Sequence, residues 1–477
     1  MLPDPKIAII NAARVASNLA ATNPSAEECL NWLFLDLNAY FASVEQQECP
    51  ELRGKPVGVV PCMAETTCCI AASYEAKAKG VKTGTLVAEA RLLCPEIEIV
   101  EARQKLYVQY HQAIKKAVET CVPITETVSI DEVACRLMGR NEQPISAARA
   151  LALRIKQTIR KQVGDTLRCS IGLAPNRMLA KMASNMQKPD GLTVLAPSML
   201  PQALFQLPPQ AVPGIGDRMN RRLLARGIRT MEQLLALNPE RMCDLWGGVT
   251  GERMWLWLHG ADFTVSKATH KSVGHQHVLP PELRTPRKAH DVGLRLLHKA
   301  ATRLRGLGLW ARGMAVMVGI KRDQRVPRKE GQWDVTLHEG CDADHATKRS
   351  DDSEAQHFGW RYMDGWSAHT PIPECSDTPA LQHYFEDLWN GFWSHPATKD
   401  LQPKVVCVTL YDLVPNVQHT LSLFDPNAER RERVSSVMDA INNRYGKDAV
   451  YPGCIHGVRD AAPTRIAFTS IPDLNEF

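Results

Sequence analysis

The sequence lacks the features of three large protein classes. It contains fourteen cysteines among its 477 residues, but no two of them are separated by just two residues. Zinc-finger spacing is therefore absent, and dispersed cysteines of this kind are typical of reduced intracellular thiols. No apolar run approaches the about eighteen residues that a membrane-spanning helix needs. A basic N-terminal region followed by a long apolar segment is also missing, so we do not expect a secreted, membrane or disulfide-stapled protein.

The chain has only a small excess of positive charge, and this charge is concentrated in one segment. It has 57 lysines and arginines and 52 acidic residues, a net charge of +5. Residues 264–323 alone contain twelve lysines and arginines against three acidic residues, a net charge of +9. A concentrated basic segment is typical of a nucleic-acid-binding module, and we predict one here.

The length predicts about three or four domains, at roughly 100–200 residues each. Apolar runs and amphipathic segments alternate up to residue 195, which predicts an α+β domain in which Asn176 caps a helix. Residues 197–262 have helical signals only, and a second α+β module follows from residue 271. Its insertion at 338–356 carries six acidic and two basic residues, so we expect that stretch to be exposed and disordered.

Three individual elements give the clearest tests of this interpretation. Polar and apolar side chains alternate over residues 127–137, which predicts a strand with one buried and one exposed face. Apolar residues at helical spacing predict helices over 286–306 and 378–393.

Acidic residues in two apolar segments are the strongest candidates for a metal site. Asp36 follows the apolar run from Trp32 to Leu35, and Asp131 and Glu132 lie in the strand-like segment 127–137. Carboxylates suit Mg²⁺, and two such ions can activate a hydroxyl and neutralise a leaving pyrophosphate. Successive strand residues face opposite ways, so a hairpin or bulge is needed to bring the two neighbouring acids together. The alternative is an acidic turn on a solvated face.

Five motifs, in order along the chain, carry a resemblance to a known family. The motifs are LDLNAYFASVE (35–45), SYEAKAKGVKTG (73–84), SIDE (129–132), SIGLAPNRMLAKMASNMQKPDG (170–191) and VPGIG (212–216). With them, the chain from residue 33 to about 415 resembles the Y-family translesion DNA polymerases, which include bacterial DNA polymerase IV and the catalytic subunit of polymerase V. The subgroup stays open, because features of both types occur.

The resemblance implies a multidomain α+β fold shaped like a right hand. It also implies DNA-directed DNA synthesis of low fidelity across damaged templates, because small fingers enclose the nascent base pair loosely. The implied domains are an N-terminal extension (1–30), a palm (31–38 and 103–195), fingers (39–102), a helical thumb with a helix-hairpin-helix (196–262), a little finger (270–415) with a disordered insertion near 324–360, and a C-terminal tail (416–477).

The resemblance also assigns the catalytic residues. Asp36, Asp131 and Glu132 match the family's metal-binding carboxylates, and the Leu37 carbonyl matches its backbone ligand. The implied reaction uses two Mg²⁺ ions and attack of a primer 3′-hydroxyl on the α-phosphate of a dNTP. Positioning and charge neutralisation supply most of such catalysis. Asn38 replaces an aspartate that is common in relatives, and we do not expect it to bind metal.

Five further positions match the family's nucleotide-binding residues. Phe41 matches the steric gate, whose ring would collide with a ribose 2′-hydroxyl, although a plain core aromatic is the alternative. Lys77 stands where many relatives have arginine, and without a bidentate guanidinium its contact with the triphosphate is expected to be weaker. The five residues are Tyr40, Phe41, Tyr74, Lys77 and Lys188.

Contacts with DNA that do not depend on base sequence are implied at two places. Gly214 and Gly216 match a helix-hairpin-helix turn, whose backbone N–H groups approach a phosphate closely. The basic segment coincides with the implied little finger and is expected to contact duplex phosphates, although a solvated charged face is the alternative for individual residues. The residues expected to make these contacts are Lys271, Arg284, Arg287 and Lys288.

Residues 420–424 (TLSLF) resemble the peptide by which bacterial polymerases bind the sliding clamp. Leu421, Leu423 and Phe424 would enter an apolar pocket of the clamp. Thr420 replaces the usual glutamine, and an ordinary linker is the alternative. We expect a monomer that is cytoplasmic and associated with the nucleoid. Its expected partners are primer–template DNA, dNTPs and the clamp, and we expect no membrane contact.

Three other functions are compatible with parts of this pattern. A catalytically inactive relative that binds DNA in damage tolerance would have lost the acidic residues, but all three are present here. A two-metal nuclease with a helix-hairpin-helix would degrade DNA without nucleotides. A non-enzymatic DNA-binding module would explain the basic segment but not the acids in apolar surroundings.

Overall fold

The structure is a computed structural model, and the chain divides into two compact units. The first contains Met1–Val265 and Arg465–Leu474, and the second contains Ser266–Thr464 and Asn475–Phe477. The residues that the structure describes are 28–65, 67–139, 142–265, 271–320, 365–393, 401–419, 425–463, 465–466, 471–472 and 474.

The first unit combines two β-sheets with a helical segment. In chain order its elements are β1 (Trp32–Leu37), α1 (Tyr40–Glu48), β2 (Val57–Val60), β3 (Ala71–Ala72), α2 (Tyr74–Ala78), α3 (Val87–Leu93), β4 (Glu98–Glu101), α4 (Gln104–Glu119), β5 (Glu126–Thr127), β6 (Glu132–Arg136), α5 (Ile145–Gln162), β7 (Cys169–Ala174), α6 (Arg177–Met186), β8 (Leu192–Val194), α7 (Asp217–Ala225), α8 (Met231–Leu235), α9 (Pro239–Trp246) and α10 (Val249–Leu258).

The larger sheet of this unit has five strands in the order β5-β6-β1-β7-β8. Its middle strand, β1, pairs antiparallel with β6 and β7, and all six of its residues are buried. A strand covered on both faces is expected to be apolar, which explains the run from Trp32 to Leu35. Asp36 is therefore an acid placed in an otherwise apolar strand.

Helix α6 covers one face of this sheet and also joins it to the helical segment. Its Leu179 packs in one core with Trp32 and Phe34 of β1. The side chain of Asn176 accepts a hydrogen bond from the Leu179 N–H at 2.9 Å, which confirms the predicted N-cap. The same side chain donates to the backbone oxygen of Trp257 in α10 at 2.8 Å. One asparagine thereby caps a helix and fixes the last helix of the helical segment.

The smaller sheet has three strands in the order β3-β2-β4. Its core includes Val60, Ala72 and residues of α2 and α3. The Ser73 hydroxyl accepts from Ala76 N–H at 3.3 Å, which caps α2, and from Val57 N–H of β2 at 3.0 Å. Because this cap is tied to the sheet, the position of the first residue of α2, Tyr74, is fixed by β2.

The second unit is a four-stranded antiparallel sheet covered by helices. Its strands follow the order β11-β10-β12-β9, and residues such as Val316, Val408 and Phe385 share one core. In chain order the elements are β9 (Ser272–Val278), α11 (Pro286–Gly306), β10 (Leu309–Ile320), β11 (Gly365–Cys375), α12 (Thr378–Trp393), β12 (Pro403–Pro415) and α13 (Ala428–Tyr445).

Residues 425–463 pack on this second unit. Ile455 and Val458 lie in its core, within the 3₁₀ helix Gly453–Val458. Asp448 forms a two-pronged ion pair with the buried Arg295 of α11. Asp439 of α13 forms a second two-pronged ion pair, with Arg305 of α11, in which Asp439 Oδ2 lies 2.6 Å from Arg305 Nε. Within the segment predicted as a tail, residues 425–463 are therefore part of the fold of this unit.

The helices predicted over 286–306 and 378–393 are confirmed with their bounds unchanged. The single strand predicted over 127–137 is wrong. It is a hairpin formed by β5 and β6, because the N–H of Glu132 donates to the Ser129 oxygen at 3.4 Å and closes a turn. The predicted insertion at 338–356 lies outside the described residues. Among the helices that are described, none combines the length and the hydropathy needed to span a membrane.

Candidate active site

Two of the predicted acids face each other across neighbouring strands. Asp36 of β1 is the register partner of Glu132, the first residue of β6. Directly opposite residues of an antiparallel pair share a face, with Cβ atoms about 5 Å apart. Asp131 lies in the turn just before β6 and is therefore not bound by strand alternation. The hairpin needed to bring both neighbouring acids to Asp36 is present.

The turn that carries Asp131 is fixed from three sides. The Ser129 hydroxyl donates to Asp131 Oδ1 at 2.6 Å. The Leu37 N–H donates to the Asp131 backbone oxygen at 2.8 Å. Nδ1 of the buried His111, in α4, lies 2.7 Å from the Ile130 backbone oxygen and must be the donor, since a carbonyl only accepts. These contacts place the Leu37 peptide group beside the Asp131 turn.

Burial and nearby negative charges raise the pKa of Asp36 and of Asp131. Burial raises the pKa of Asp36 to about 6, and the charges of Asp131 and Glu132 contribute in the same direction while Lys188 opposes them. Burial also raises the pKa of Asp131, with a further contribution from Glu132, against the Ser129 hydrogen bond. The three carboxyl groups therefore lie within electrostatic range of one another.

Two lysines engage these carboxylates. Lys188 Nζ lies 2.6 Å from Asp36 Oδ1, and Lys181 Nζ of α6 lies 2.7 Å from Glu132 Oε2. Within the described part of the chain, no group of three or more His, Cys, Asp or Glu side chains has the arrangement of a preformed metal site. Asp36 and Glu132 each face a lysine in this arrangement. The backbone placement and the all-oxygen donor set fit Mg²⁺.

Residues of α2 converge on the same place. Burial, and then the charge of Asp36, raise the pKa of Tyr74 to about 12. Lys77 Nζ lies 4.5 Å from the centre of the Tyr74 ring. Burial lowers the pKa of Lys77, and the nearby Lys188 ammonium lowers it further. Tyr74, Lys77, Lys188 and Asp36 therefore form one electrostatically connected group.

The Phe41 ring has a defined neighbour. It stacks on Tyr107 of α4, with ring centres 4.4 Å apart and an angle of 16° between the planes. The Tyr107 hydroxyl donates to the buried Glu45 at 2.6 Å, and Arg103 pairs with the same carboxylate. The Tyr40 hydroxyl donates to the Tyr107 backbone oxygen at 2.6 Å. Phe41 is thereby held on a platform that hydrogen bonds keep in place.

Comparison with known proteins gives the family. The family models described as impB/mucB/samB and impB/mucB/samB C-terminal domain match residues 35–185 and 270–423. The chain is 33% identical over 430 residues to DNA polymerase IV of Moorella thermoacetica, covering 88% of this chain and 94% of that protein. It is 31% identical over 424 residues to DNA polymerase IV of Pelotomaculum thermopropionicum, covering 88% and 93%. The chain belongs to the Y family of translesion DNA polymerases.

This Y-family polymerase also has the family's fold. A solved Y-family chimera of Dbh and Dpo4 is 23% identical, with a TM-score of 0.60, and the match covers 81% of this chain and 99% of the other. The predicted α+β multidomain right-hand fold is confirmed. Through its relatives the chain is identified as a DNA-directed DNA polymerase of translesion synthesis, which confirms the predicted activity.

The glycine turn of this polymerase lies just before α7. Gly214 has φ of +96°, a conformation that favours glycine, and both Gly214 and Gly216 are exposed. Sequence reasoning missed a basic cluster beside this turn, although five arginines within twelve residues were the available signal. All five are exposed: Arg218, Arg221, Arg222, Arg226 and Arg229.

The basic segment of this polymerase is partly neutralised within the second unit. Besides Arg295 and Arg305, Arg312 is also paired, with Glu374 of β11. These three arginines already have anionic partners, so they are among the residues of the segment for which a role other than DNA contact is left open.

The four residues of the segment that we singled out lie elsewhere in the second unit. Lys271 and Arg287 are exposed. Arg284 Nε donates to the Leu279 oxygen at 2.9 Å, and Lys288 Nζ donates to the Glu282 oxygen at 2.8 Å. The acceptors in these two contacts are backbone oxygens, so the contacts do not neutralise the positive charge of either side chain.

Leu421, Leu423 and Phe424 lie outside the described residues, but both flanks of their segment are described. His419 stacks on Trp310 with ring centres 3.5 Å apart, and its Nδ1 lies 2.9 Å from Glu374 Oε2. Asp425 pairs with Arg431 of α13.

Proposed function

We propose that Asp36, Asp131 and Glu132 hold two Mg²⁺ ions, with the Leu37 carbonyl as a backbone ligand. Asp36 and Glu132 would exchange their lysine partners for the ions. Bound Mg²⁺ supplies charge neutralisation at the reacting phosphate and lowers the pKa of the primer hydroxyl. The reaction is attack of the primer 3′-hydroxyl on the α-phosphate of a dNTP, with pyrophosphate as leaving group.

The incoming triphosphate binds to Tyr74, Lys77 and Lys188 in this proposal. The support is their electrostatic coupling to Asp36, since a phosphate that contacts these residues lies next to the carboxylates. Lys188 exchanges its contact with Asp36 for the triphosphate. An ammonium group neutralises a flexible polyphosphate as a point charge, without the fixed geometry of a guanidinium.

The sugar of the dNTP lies against Phe41, which acts as the steric gate. Its stacking on Tyr107 supports this role, because a gate discriminates only when its ring cannot move aside. Tyr40 supports the gate through its hydrogen bond to the Tyr107 backbone. Low fidelity follows from small fingers, whose sheet consists of the three short strands β2, β3 and β4.

Primer–template DNA is held through phosphate contacts. In the first unit these come from the backbone at Gly214 and Gly216 and from the neighbouring exposed arginines of α7. Such contacts position a duplex without reading its sequence and weaken steeply with salt. In the second unit the proposed contacts are made by Lys271, Arg284, Arg287 and Lys288.

A sliding clamp binds Leu421, Leu423 and Phe424 in this proposal. The segment lies between two anchored residues, His419 and Asp425, so a bound clamp would be attached to the second unit at both ends of the peptide. The polymerase acts as a monomer in the cytoplasm, associated with the nucleoid.

The juxtaposition of Asp36, Glu132 and Lys188 carries the catalytic part of this proposal. Primer extension with dNTPs and Mg²⁺ tests it, with carboxylate variants as the decisive comparison. An inactive damage-tolerance protein would bind the same DNA without extending it. A nuclease would shorten the primer in the absence of nucleotides.

A further inference from the structure

Lys188 lies in a short loop, Gln187–Gly191, that is folded tightly on itself. Asp190 has φ of +56°, a left-handed conformation that aspartate tolerates better than most residues. A Cβ atom on Gly191 would lie 1.7 Å from the Gln187 backbone oxygen, so only glycine fits there. The path of this loop decides whether the Lys188 side chain can reach Asp36.

Asn38, two residues after Asp36, holds this loop. Its Oδ1 atom accepts a hydrogen bond from the Asp190 N–H at 2.7 Å. Its Nδ2 atom donates to the Ser170 hydroxyl of β7 at 3.1 Å. Asn38 is buried, and its own N–H is bonded to the Arg168 backbone oxygen at 2.9 Å. One side chain therefore connects the strand end that carries Asp36 with the loop that carries Lys188.

The Ser170 hydroxyl completes the connection at both ends of the loop. It accepts from the Gly191 N–H at 3.2 Å, and its one proton has two acceptors within reach, Asn38 Oδ1 at 3.3 Å and the Gln187 backbone oxygen at 3.4 Å. When the hydroxyl donates to Gln187, the Asn38 amide still donates to it through Nδ2, which a carboxylate at this position could not do. Lys156 of α5, which is not part of the loop, forms an ion pair with Asp190, with Lys156 Nζ 2.9 Å from Asp190 Oδ1.

We propose that Asn38 is a positioning residue that, together with Ser170, holds the Gln187–Gly191 loop so that Lys188 reaches the site beside Asp36. Asn38 acts through Lys188 and contacts neither metal nor nucleotide itself. The inference rests on the proposed contact of Lys188 with the triphosphate and adds the element that sets its position.

A double-mutant cycle on nucleotide affinity tests the inference. Asn38→Ala removes the acceptor for Asp190 and should raise KM for dNTP about tenfold, with kcat changed much less, as loss of a buried hydrogen bond predicts. Lys188→Ala should raise KM at least as much. Because Asn38 acts through Lys188, the double variant should have the KM of Lys188→Ala alone. The Mg²⁺ concentration for half-maximal activity should stay unchanged in Asn38→Ala, which separates loop positioning from damage to Asp36.

The control is Asn31→Ala, since Asn31 precedes the same strand at its other end and contacts Asp262 instead. Its KM should equal that of the wild type. If Asn38→Ala does not fold, Ser170→Ala replaces it in the cycle, with the same expected non-additivity. Additive effects of Asn38→Ala and Lys188→Ala would overturn this inference and leave the role of Lys188 intact. A wild-type KM in Lys188→Ala would overturn the triphosphate contact itself, and with it the inference.

Discussion

Asp36 and Glu132 stand opposite each other on antiparallel strands, and a different lysine engages each of them. Burial raises the pKa of Asp36 to about 6, so its ionised form is costly in the fold. Acids placed this way, in an apolar strand and next to further acids, reduce stability unless cations balance them. The arrangement supports the proposal that these acids exchange their lysine partners for metal ions.

Replacement of Phe41 by alanine should weaken discrimination between ribonucleotides and deoxynucleotides. The substitution opens space next to the 2′ position of the sugar, so the ratio of kcat/KM for rNTP to that for dNTP should rise roughly 10- to 200-fold. Single-nucleotide incorporation with matched rNTP and dNTP measures this ratio. An unchanged ratio would identify Phe41 as a core aromatic without a gating role.

His111 should give the polymerase a defined dependence of stability on pH. Burial lowers its pKa to about 4, whereas the unfolded side chain titrates near 6.5. Between these values the unfolded chain binds the extra proton, so the free energy of unfolding falls as the pH drops from about 6.5 to 4. At pH 5 the loss relative to pH 7 should be on the order of 2 kcal/mol.

The variant His111→Leu isolates this contribution in denaturant unfolding. It should be less stable than the wild type at pH 7, because leucine has no donor for the Ile130 oxygen. The difference in free energy of unfolding between the two proteins should shrink by about 2 kcal/mol at pH 5. Only the wild type contains this imidazole, which stays neutral in the folded state and takes up a proton on unfolding. His275 and His298, whose pKa values are also lowered, are common to both proteins and cancel. An equal difference at both pH values would contradict the assignment.

Sequence patterns predicted helices and strands more reliably than they predicted contacts between residues distant in the sequence. The helix 286–306 was predictable because Thr285 caps it, Pro286 fits its first turn and apolar residues recur at helical spacing. The hairpin at Ser129–Glu132 was not, because alternation continues through a tight turn without a glycine or proline to mark it. The motif at 170–191 indicated Lys188, whereas the role of Lys181 follows only from the three-dimensional structure, in which its Nζ lies 2.7 Å from Glu132 Oε2.

The basic segment shows a second limit of sequence reasoning. Charge counting treats every lysine and arginine of residues 264–323 alike. It does not show that Asp439 and Asp448, more distant in the sequence, fold back onto Arg305 and Arg295. Pairs of this kind depend on tertiary structure, which a local count does not include.

Asp448→Ala should destabilise the second unit strongly. The substitution leaves the guanidinium of the buried Arg295 without its carboxylate, a change that typically costs about 3–5 kcal/mol. The control is Asp460→Ala, which breaks an exposed pair with Arg459 and should leave the stability nearly unchanged. Denaturant unfolding measures both. Equal, small effects would show that residues 425–463 do not stabilise this unit.

Replacing Leu423 and Phe424 by alanine should abolish stimulation by the sliding clamp. The two side chains are the proposed anchors in an apolar pocket, and loss of such anchors typically weakens binding by about 2 kcal/mol or more each. Primer extension with and without loaded clamp measures the stimulation. Val417→Ala is the control, because Val417 is exposed and lies just before the segment. Full stimulation of the double variant would show that the clamp, if it binds, uses another surface.

The most direct measurement is primer extension by Asp131→Asn and Glu132→Gln, beside Glu126→Gln as a control from the same hairpin. Glu126 pairs with Arg177 and is not among the proposed ligands, so its variant should extend primers like the wild type. The other two should lose roughly 10³-fold or more in rate, because several kcal/mol of charge stabilisation at the phosphate depend on the bound ions. Their affinity for primer–template DNA, measured by fluorescence anisotropy, should be unchanged. Extension by either variant within tenfold of the wild type would contradict the assignment of these carboxylates as the metal ligands.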